Sequence, residues 1–316
     1  MTNYILAVET GGTKLQMALG TAEGEIHFNY RTIIYPENGC QGILEDVIKA
    51  FPVLEEEAEK RDGKITKIGI GFGGPVDSNK GVVIASVQVP GWNGFSVMDF
   101  FKERVGIPAY IYNDSNAAAW GEYCRGTGRG TKNFFYTNLG SGVGGGLIID
   151  GKLYDGQGYG AAEMGQTWLC DFGHGKGRPE KIENMCSGWA IEKKLRRAKI
   201  PADSILWKLC KGRQGELNCA MLGQAVKAGD YYANDFLDHI AQIFSVALSN
   251  IISLFSPECI AVGGGVSLIG EPLIERLRKY TDPFVFISSR NRYHIEKSRL
   301  DESIVLVGTL LLTGMK

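Results

Sequence analysis

Three segments that end strands are rich enough in glycine to bend a backbone around an anion: Glu9-Thr10-Gly11-Gly12-Thr13-Lys14, Gly140-Ser141-Gly142-Val143-Gly144-Gly145-Gly146 and Gly263-Gly264-Gly265. Without a Cβ the chain can approach a ligand closely and turn its N–H groups toward negative charge, and the hydroxyls of Thr13 and Ser141 add donors. Two such turns from different parts of the chain suffice to clamp a triphosphate. A Gly-Gly pair also closes an ordinary hairpin, so one turn by itself means little. None of the three fits the P-loop pattern, and Gly142 to Leu147 does not form a dinucleotide fingerprint at a strand-to-helix turn.

A carboxylate stands at a second kind of junction. Residues 109–113 read as a short strand, and a helix is expected from Ser115 or Asn116. Asp114 at the helix N-cap could simply accept a backbone N–H. The same position puts a carboxylate at the C-terminal end of a strand, where open α/β sheets bind ligands and where it can accept a proton. Glu163 and Glu183 lie in an irregular glycine-rich stretch, 156–184. Long irregular segments inside compact domains are usually functional, although a single exposed acid there is usually just solvated.

The elements that must hold these residues follow from periodicity. Residues 4–8, 15–20 and 31–35 read as an antiparallel meander, and 41–61 as a helix interrupted at Pro52. An apolar strand at 65–72 runs into Gly73-Gly74-Pro75, and a helix is expected at 96–105. The second half opens with a hairpin of 133–139 against 145–149. Helices are expected at 187–198, 218–228 and 235–255, the last a core helix with apolar residues at clean helical spacing. A strand at 259–262, a helix through 274–280 and an apolar, helical 305–315 close the chain.

Composition narrows the classes. The chain of 316 residues is 44% hydrophobic, long enough for two lobes with a cleft between them. Its 34 basic and 35 acidic residues leave a net charge of -1, so no nucleic-acid partner is expected. The N-terminus has no basic and apolar leader, and no apolar stretch approaches the ~18 residues of a membrane span. The expected protein is soluble and cytoplasmic, with no membrane partner. Seven scattered cysteines without a Cys-x-x-Cys pair read as free thiols.

Taken together, Glu9-Thr-Gly-Gly-Thr-Lys14, Gly71-Phe-Gly-Gly-Pro-Val76, Asn113-Asp-Ser-Asn-Ala-Ala-Ala119, Asn138 to Gly146, Gly160-Ala-Ala-Glu163-Met-Gly165 and Ala261-Val-Gly-Gly-Gly265 resemble, in this order, the ROK family of sugar kinases and sugar-responsive repressors. The resemblance implies an α/β, actin-like ATPase fold of two ribonuclease-H-like lobes, one formed by 1–113 plus 303–316 and the other by 114–302. It implies an ATP-dependent kinase acting on a hexose or N-acetyl-hexosamine, with Mg2+ bound alongside ATP. Asp114 matches the general base, and Gly74, Asn113, Glu163, Gln166 and Glu183 match sugar contacts. Gly11, Gly12, Thr13, Lys14, Gly140, Ser141 and Gly142 match the phosphate loops, and Gly263, Gly264 and Gly265 the adenosine-side turn. Glu9 matches the metal-side position, holding Mg2+ through water. Members are commonly homo-oligomers, so a dimer is expected.

Two departures stand out. The family's Glu-x-Gly-His reads Glu163-Met-Gly-Gln166, and its cysteine-rich zinc cluster is replaced by a stretch in which only Cys170, His174 and Cys186 could offer ligands. A closed structural zinc site wants four ligands, so no zinc is expected. Glu9 also stands where the family has Asp. The repressor branch carries a DNA-binding helix-turn-helix ahead of the first strand, and here that strand begins by Tyr4. The alternative to a kinase is a catalytically weak sugar sensor.

Overall fold

The computed structural model describes the chain outside residues 11–13, 87–88 and 172–176, and leaves out the side chains of Lys14 and Asp171. Its strands are β1 (Thr2–Thr10), β2 (Lys14–Gly20), β3 (Ile26–Ile33), β4 (Gly63–Phe72), β5 (Val76–Asp77), β6 (Val82–Val83), β7 (Ala109–Asn113), β8 (Phe134–Leu139), β9 (Val143–Ile149) and β10 (Lys152–Tyr154). These are followed by β11 (Trp168–Asp171), β12 (Arg178–Lys181), β13 (Cys259–Gly263) and β14 (His294–Lys297). The helices are α1 (Gly39–Glu59), α2 (Val97–Val105), α3 (Asp114–Arg125), α4 (Ile182–Cys186), α5 (Gly188–Leu195), α6 (Ile205–Leu209), α7 (Cys219–Lys227), α8 (Tyr231–Phe255), α9 (Glu271–Thr281) and α10 (Ile304–Gly314).

Two compact units result. The first comprises Met1–Gly126, Leu153–Ala161 and Glu302–Lys316, so it includes α3 and a strap from the middle of the chain; the second comprises Thr127–Lys152 and Ala162–Asp301. The sheet of the first unit runs β3-β2-β1-β4-β7. Along β1, Leu6 and Val8 face a cluster with Leu44, Val47 and Leu54 of α1. The intervening Ile5 and Ala7 face Leu306 and Leu310 of α10. The two-residue period of a strand therefore buries both faces of β1, which is why it reads as a nearly unbroken apolar run. The second sheet, β10-β9-β8-β13-β14, is covered by the α4–α9 side, where Phe244, Leu248 and Ile252 of α8 join Ile260 and Val262 of β13 in one core.

Several elements differ from the pattern in the sequence. Helix α1 runs through Pro52 without interruption, because its apolar stripe of Val47, Phe51, Leu54 and Ala58 is buried and outweighs the lost N–H bond. Helix α8 begins at Tyr231 rather than 235, since Asp230 caps it: its carboxylate accepts from Ala233 N (2.8 Å) and from Ser204 Oγ (2.7 Å), as well as from the Ile205 N–H. Among the described residues α8 is long and apolar enough to cross a membrane, against the sequence reading that no stretch comes close. More than half of its most apolar window is buried inside the second unit, as the packing of a core helix requires. The expected hairpin turn also tightens, with β9 starting at Val143.

The crossing of α10 on α3 depends on two glycines: Gly308 of α10, and Gly121 of α3, where a Cβ would lie 2.9 Å from the Ile304 carbonyl oxygen. A Cβ at Gly308 would fall within the van der Waals radius of the Ala117 carbonyl oxygen, so the two backbones touch there. Gly308→Ala is expected to cost about 1–3 kcal/mol in chemical denaturation, the usual range for overpacking. An unchanged midpoint would show that the helices do not meet this closely. A second expectation concerns Asp230. Burial would raise its pKa, but the donors from Ala233, Ser204, Leu206 and Ile205 hold it below the ordinary aspartate value. A depressed carboxyl pKa gives stability that is present above the unfolded value and lost as pH falls through the folded one. Asp230→Ala should therefore cost about 1–2 kcal/mol near neutral pH, in the range of a lost helix cap. The gap to the wild type should close below pH 4, as measured by urea unfolding across pH.

Candidate active site

In the first unit, parallel pairing sets the site. Strand β4 lies between β1 and β7 with Thr10 opposite Phe72 and Phe72 opposite Asn113, so three strands end in one row. Loops leaving the C-terminal ends of parallel strands are where open α/β sheets bind ligands. Past β4 the chain turns at Gly74, whose N–H donates to Phe72 O at 3.0 Å. Asn113 ties that turn to the next helix: its Nδ2 donates to Gly74 O at 3.2 Å and its Oδ1 accepts from Asn116 N at 3.0 Å.

The N-cap of α3 is thus Asn113, and Asp114 is the first helical residue, one earlier than the sequence reading and not the cap it allowed. The difference matters chemically. Oδ1 of Asp114 accepts from Ser115 N (2.6 Å) and Ser115 Oγ (3.2 Å). Oδ2 points toward Gly73, where a Cβ would sit 3.4 Å away, and receives no hydrogen bond from the described residues. Burial pushes the carboxyl pKa above the ordinary aspartate range, against the pull of the Ser115 donors. A carboxylate with one oxygen held and the other open, in a place that disfavours its charge, is suited to accept a proton.

Glu9 lies in β1 opposite Gln16, whose Nε2 donates to Glu9 Oε2 at 3.4 Å. Gly11, Gly12 and Thr13 lie outside the described residues, and so does the side chain of Lys14 at the start of β2. Sequence reasoning missed a polar cluster beside Asn113. Asp155, on the strap, accepts from Asn116 Nδ2 (2.8 Å) and Ser78 Oγ (3.4 Å). These residues, with Asn79, Tyr112 and Asn113, line a cavity of about 280 Å3 in the first unit. Burial raises the pKa of Asp155. Its only signal was Asn116, one helical turn beyond Asn113; the partner 39 residues away had none.

In the second unit, β8 sits between β13 and β9 with Gly263 opposite Asn138 and Asn138 opposite Gly144. The register brings the second and third glycine turns to one end of this sheet. Gly140 N donates to Gly142 O at 3.0 Å, and Gly140 O accepts from Gly188 N at 2.7 Å. Gly264 has φ +82°, and a Cβ there would lie 2.6 Å from the Leu139 carbonyl, so both its conformation and its closeness to the first loop demand glycine. Ser141 is exposed between them.

Three of the predicted sugar contacts also belong to this unit. Glu163 is exposed at the start of a short 3-10 turn, Met164–Gln166, just after Ala162 in the left-handed region at φ 64°. Gln166 Nε2 donates to Glu183 Oε1 at 3.3 Å, and Glu183 Oε2 accepts from Val143 N at 3.0 Å. Gln166 Oε1 accepts from Lys181 Nζ at 2.8 Å, a partner no motif pointed to. Among the described residues no three His, Cys, Asp or Glu side chains are grouped as metal ligands. Cys186 is buried, Cys170 is exposed, and His174 lies outside the described residues. Of the two tryptophans that could stack on a sugar, Trp92 is core, 5.1 Å from the Phe72 ring, whereas Trp168 is 58% exposed.

Comparison with known proteins agrees with this geometry. The ROK family model matches residues 5–315. The glucokinase of Thermotoga maritima is 30% identical over 308 residues, covering 96% of this chain and 95% of that one. The xylose repressor of Caldicellulosiruptor bescii is 27% identical over 321 residues, covering 98% of this chain and 77% of that one. The crystal structure of a ROK family glucokinase from Streptomyces griseus, in complex with glucose and AMPPNP, matches with a TM-score of 0.86 at 29% identity, over 99% of this chain and 100% of that one. The two helix-flanked sheets are those of the actin-like ATPase fold. With a family match that spans nearly every residue and motifs lying at the strand ends where the fold binds ligands, the chain belongs to the ROK family.

Proposed function

We propose that the chain is an ATP-dependent sugar kinase that transfers the γ-phosphoryl group of ATP to a hydroxyl of a hexose, with glucose the first substrate to try. The observation that carries this reading is Asp114, with Oδ1 engaged by Ser115, Oδ2 open, and burial raising its pKa. A sensor has no need of a proton acceptor held in this way. The similarity to a glucokinase crystallised with glucose and AMPPNP supports the substrate pair.

Phosphoryl transfer asks a protein mainly for positioning and charge neutralisation, plus an acceptor for the hydroxyl proton. In this reading Asp114 takes that proton as the sugar oxygen attacks. Gly74, Asn113, Glu163, Gln166 and Glu183 hold the sugar hydroxyls. Backbone N–H groups of Gly140, Ser141 and Gly142, with Gly11, Gly12, Thr13 and Lys14, receive phosphate oxygens, and Gly263 to Gly265 let the nucleoside approach. Mg2+ bound with ATP would neutralise phosphate charge. Glu9, an acceptor-only carboxylate at the end of the central strand β1, fits the role of holding it through water.

The test is an ADP-release assay with Mg-ATP against a panel of free hexoses and N-acetyl-hexosamines. Turnover on glucose or a near relative is expected; ADP release that no sugar stimulates would sink the kinase reading. Asp114→Asn should lower kcat by about 10^2–10^4-fold, the usual contribution of a general base. The same variant should melt higher than the wild type at neutral pH. A raised folded pKa means that the folded state binds a proton more tightly, so stability declines as pH rises through that range and the buried charge is a cost at pH 7. Asparagine removes the charge while its Oδ1 can still accept from Ser115. A kcat within tenfold of wild type would take the base role from Asp114.

A further inference from the structure

The hairpin β11–β12 stands where the family's metal cluster would follow Gln166, and its register has a consequence for that residue. Trp168 and Lys181 are directly paired across the two strands. The pairing holds the Lys181 ammonium 5.8 Å from the centre of the Trp168 ring, a cation–π distance. Two residues before Trp168, Gln166 presents its Oε1 to the same ammonium at 2.8 Å. Lysine can only donate, so the amide has one orientation: Oε1 toward Lys181 and the Nε2 hydrogens toward Glu183, whose Oε1 lies 3.3 Å away. Glu183 is in turn fixed by the Val143 N–H on its other oxygen at 3.0 Å. The result is a directional series, Lys181 to Gln166 to Glu183, anchored at β9. Gln166 is exposed, and an exposed glutamine amide without such a partner turns freely.

We propose that Lys181 is a positioning residue for sugar recognition: by holding the Gln166 carbonyl, it presents the second Gln166 Nε2 hydrogen, the one not given to Glu183, together with the Glu183 carboxylate to one sugar hydroxyl, which accepts from the first and donates to the second. Trp168 keeps the ammonium in place from the opposite strand. This inference rests on the kinase reading for the assignment of Gln166 and Glu183 as sugar contacts. It adds a lysine as an orienting group for Gln166, the residue that stands where the family has histidine.

The experiment measures glucose affinity by calorimetry without nucleotide, alongside steady-state kinetics, for Lys181→Met, Lys181→Arg, Gln166→Ala and the double variant Lys181→Met/Gln166→Ala. Losing the orientation of one ordinary sugar hydrogen bond should raise the glucose Kd and KM of Lys181→Met about five- to tenfold. Its kcat should stay within about twofold, since Lys181 acts on a ground-state contact, and its KM for ATP should not change. Lys181→Arg, which keeps the donor, should restore most of the affinity. In the Gln166→Ala background the lysine change should add nothing, because the two act through one amide. An unchanged glucose Kd in Lys181→Met overturns the proposal, and so does a full effect that persists without Gln166. Wild-type protein that binds glucose but releases no ADP overturns the kinase reading and leaves this inference to the binding data. Wild-type protein that binds neither glucose nor any other sugar of the panel overturns both.

Discussion

A carboxylate that has lost part of its hydration sets the terms for the first unit. Desolvating Asp114 is unfavourable for its charged form, and the surroundings return only part of that cost, through the Ser115 N–H and hydroxyl on one oxygen. The rest of the unit makes the position rigid. Asn113 takes over the capping of α3 and binds the Gly74 turn, so the junction is held on both sides by groups other than the carboxylate itself. The in-register ends of β1, β4 and β7 supply the platform, and α10, in backbone contact with α3 at Gly308, holds the helix from behind. A half-buried acid with only one oxygen engaged is tolerable because everything around it is over-determined.

The second unit solves a different problem, that of fixing flexible polar side chains near solvent. Its devices are glycine turns packed against each other at one sheet end and a chain of donors and acceptors running from Lys181 to Val143. The carboxylate of Glu183 reaches the N–H of Val143 because Gly142 beside it has no side chain in the way. Each link is modest taken singly, since hydrogen bonds exchanged with water are worth about 1 kcal/mol. Their value lies in orientation, because each donor-only or acceptor-only partner leaves the next group one choice.

What was legible in the sequence was whatever depends on short spacing. The Asn113-Asp114 junction, the glycine turns after β8 and β13 and the core helix α8 all follow from residues within a turn or a strand of one another. Helix starts were read less well: the apolar spacing of α8 begins at Phe236, but its first turn is set by Asp230, whose partner Ser204 is 26 residues away. Pro52 suggested a break that the buried stripe of α1 overrides. The irregular stretch after Glu163 concealed a hairpin, because β11 and β12 are four residues each and Leu169 is their one aliphatic residue packed on the core. Lys181 and Asp155 were invisible for the same reason: each acquires meaning only through contacts across the fold, with Gln166 in one case and Asn116 in the other.

The contact between Gly308 and Ala117 also bears on how the molecule is made. The first unit is discontinuous, and its last piece, Glu302–Lys316, is synthesised only after all of the second unit's chain. Until that piece leaves the ribosome, β1 lacks the cover of Leu306 and Leu310 on one face and α3 lacks the α10 backbone at Ala117. The second unit's segments are complete by Asp301, so it can settle first while the earlier-made strands wait. The first unit, Asp114 included, is therefore completed only by the last stretch of its chain, and a nascent chain carries the α10-facing side of β1 uncovered for the whole time that the second unit is being translated.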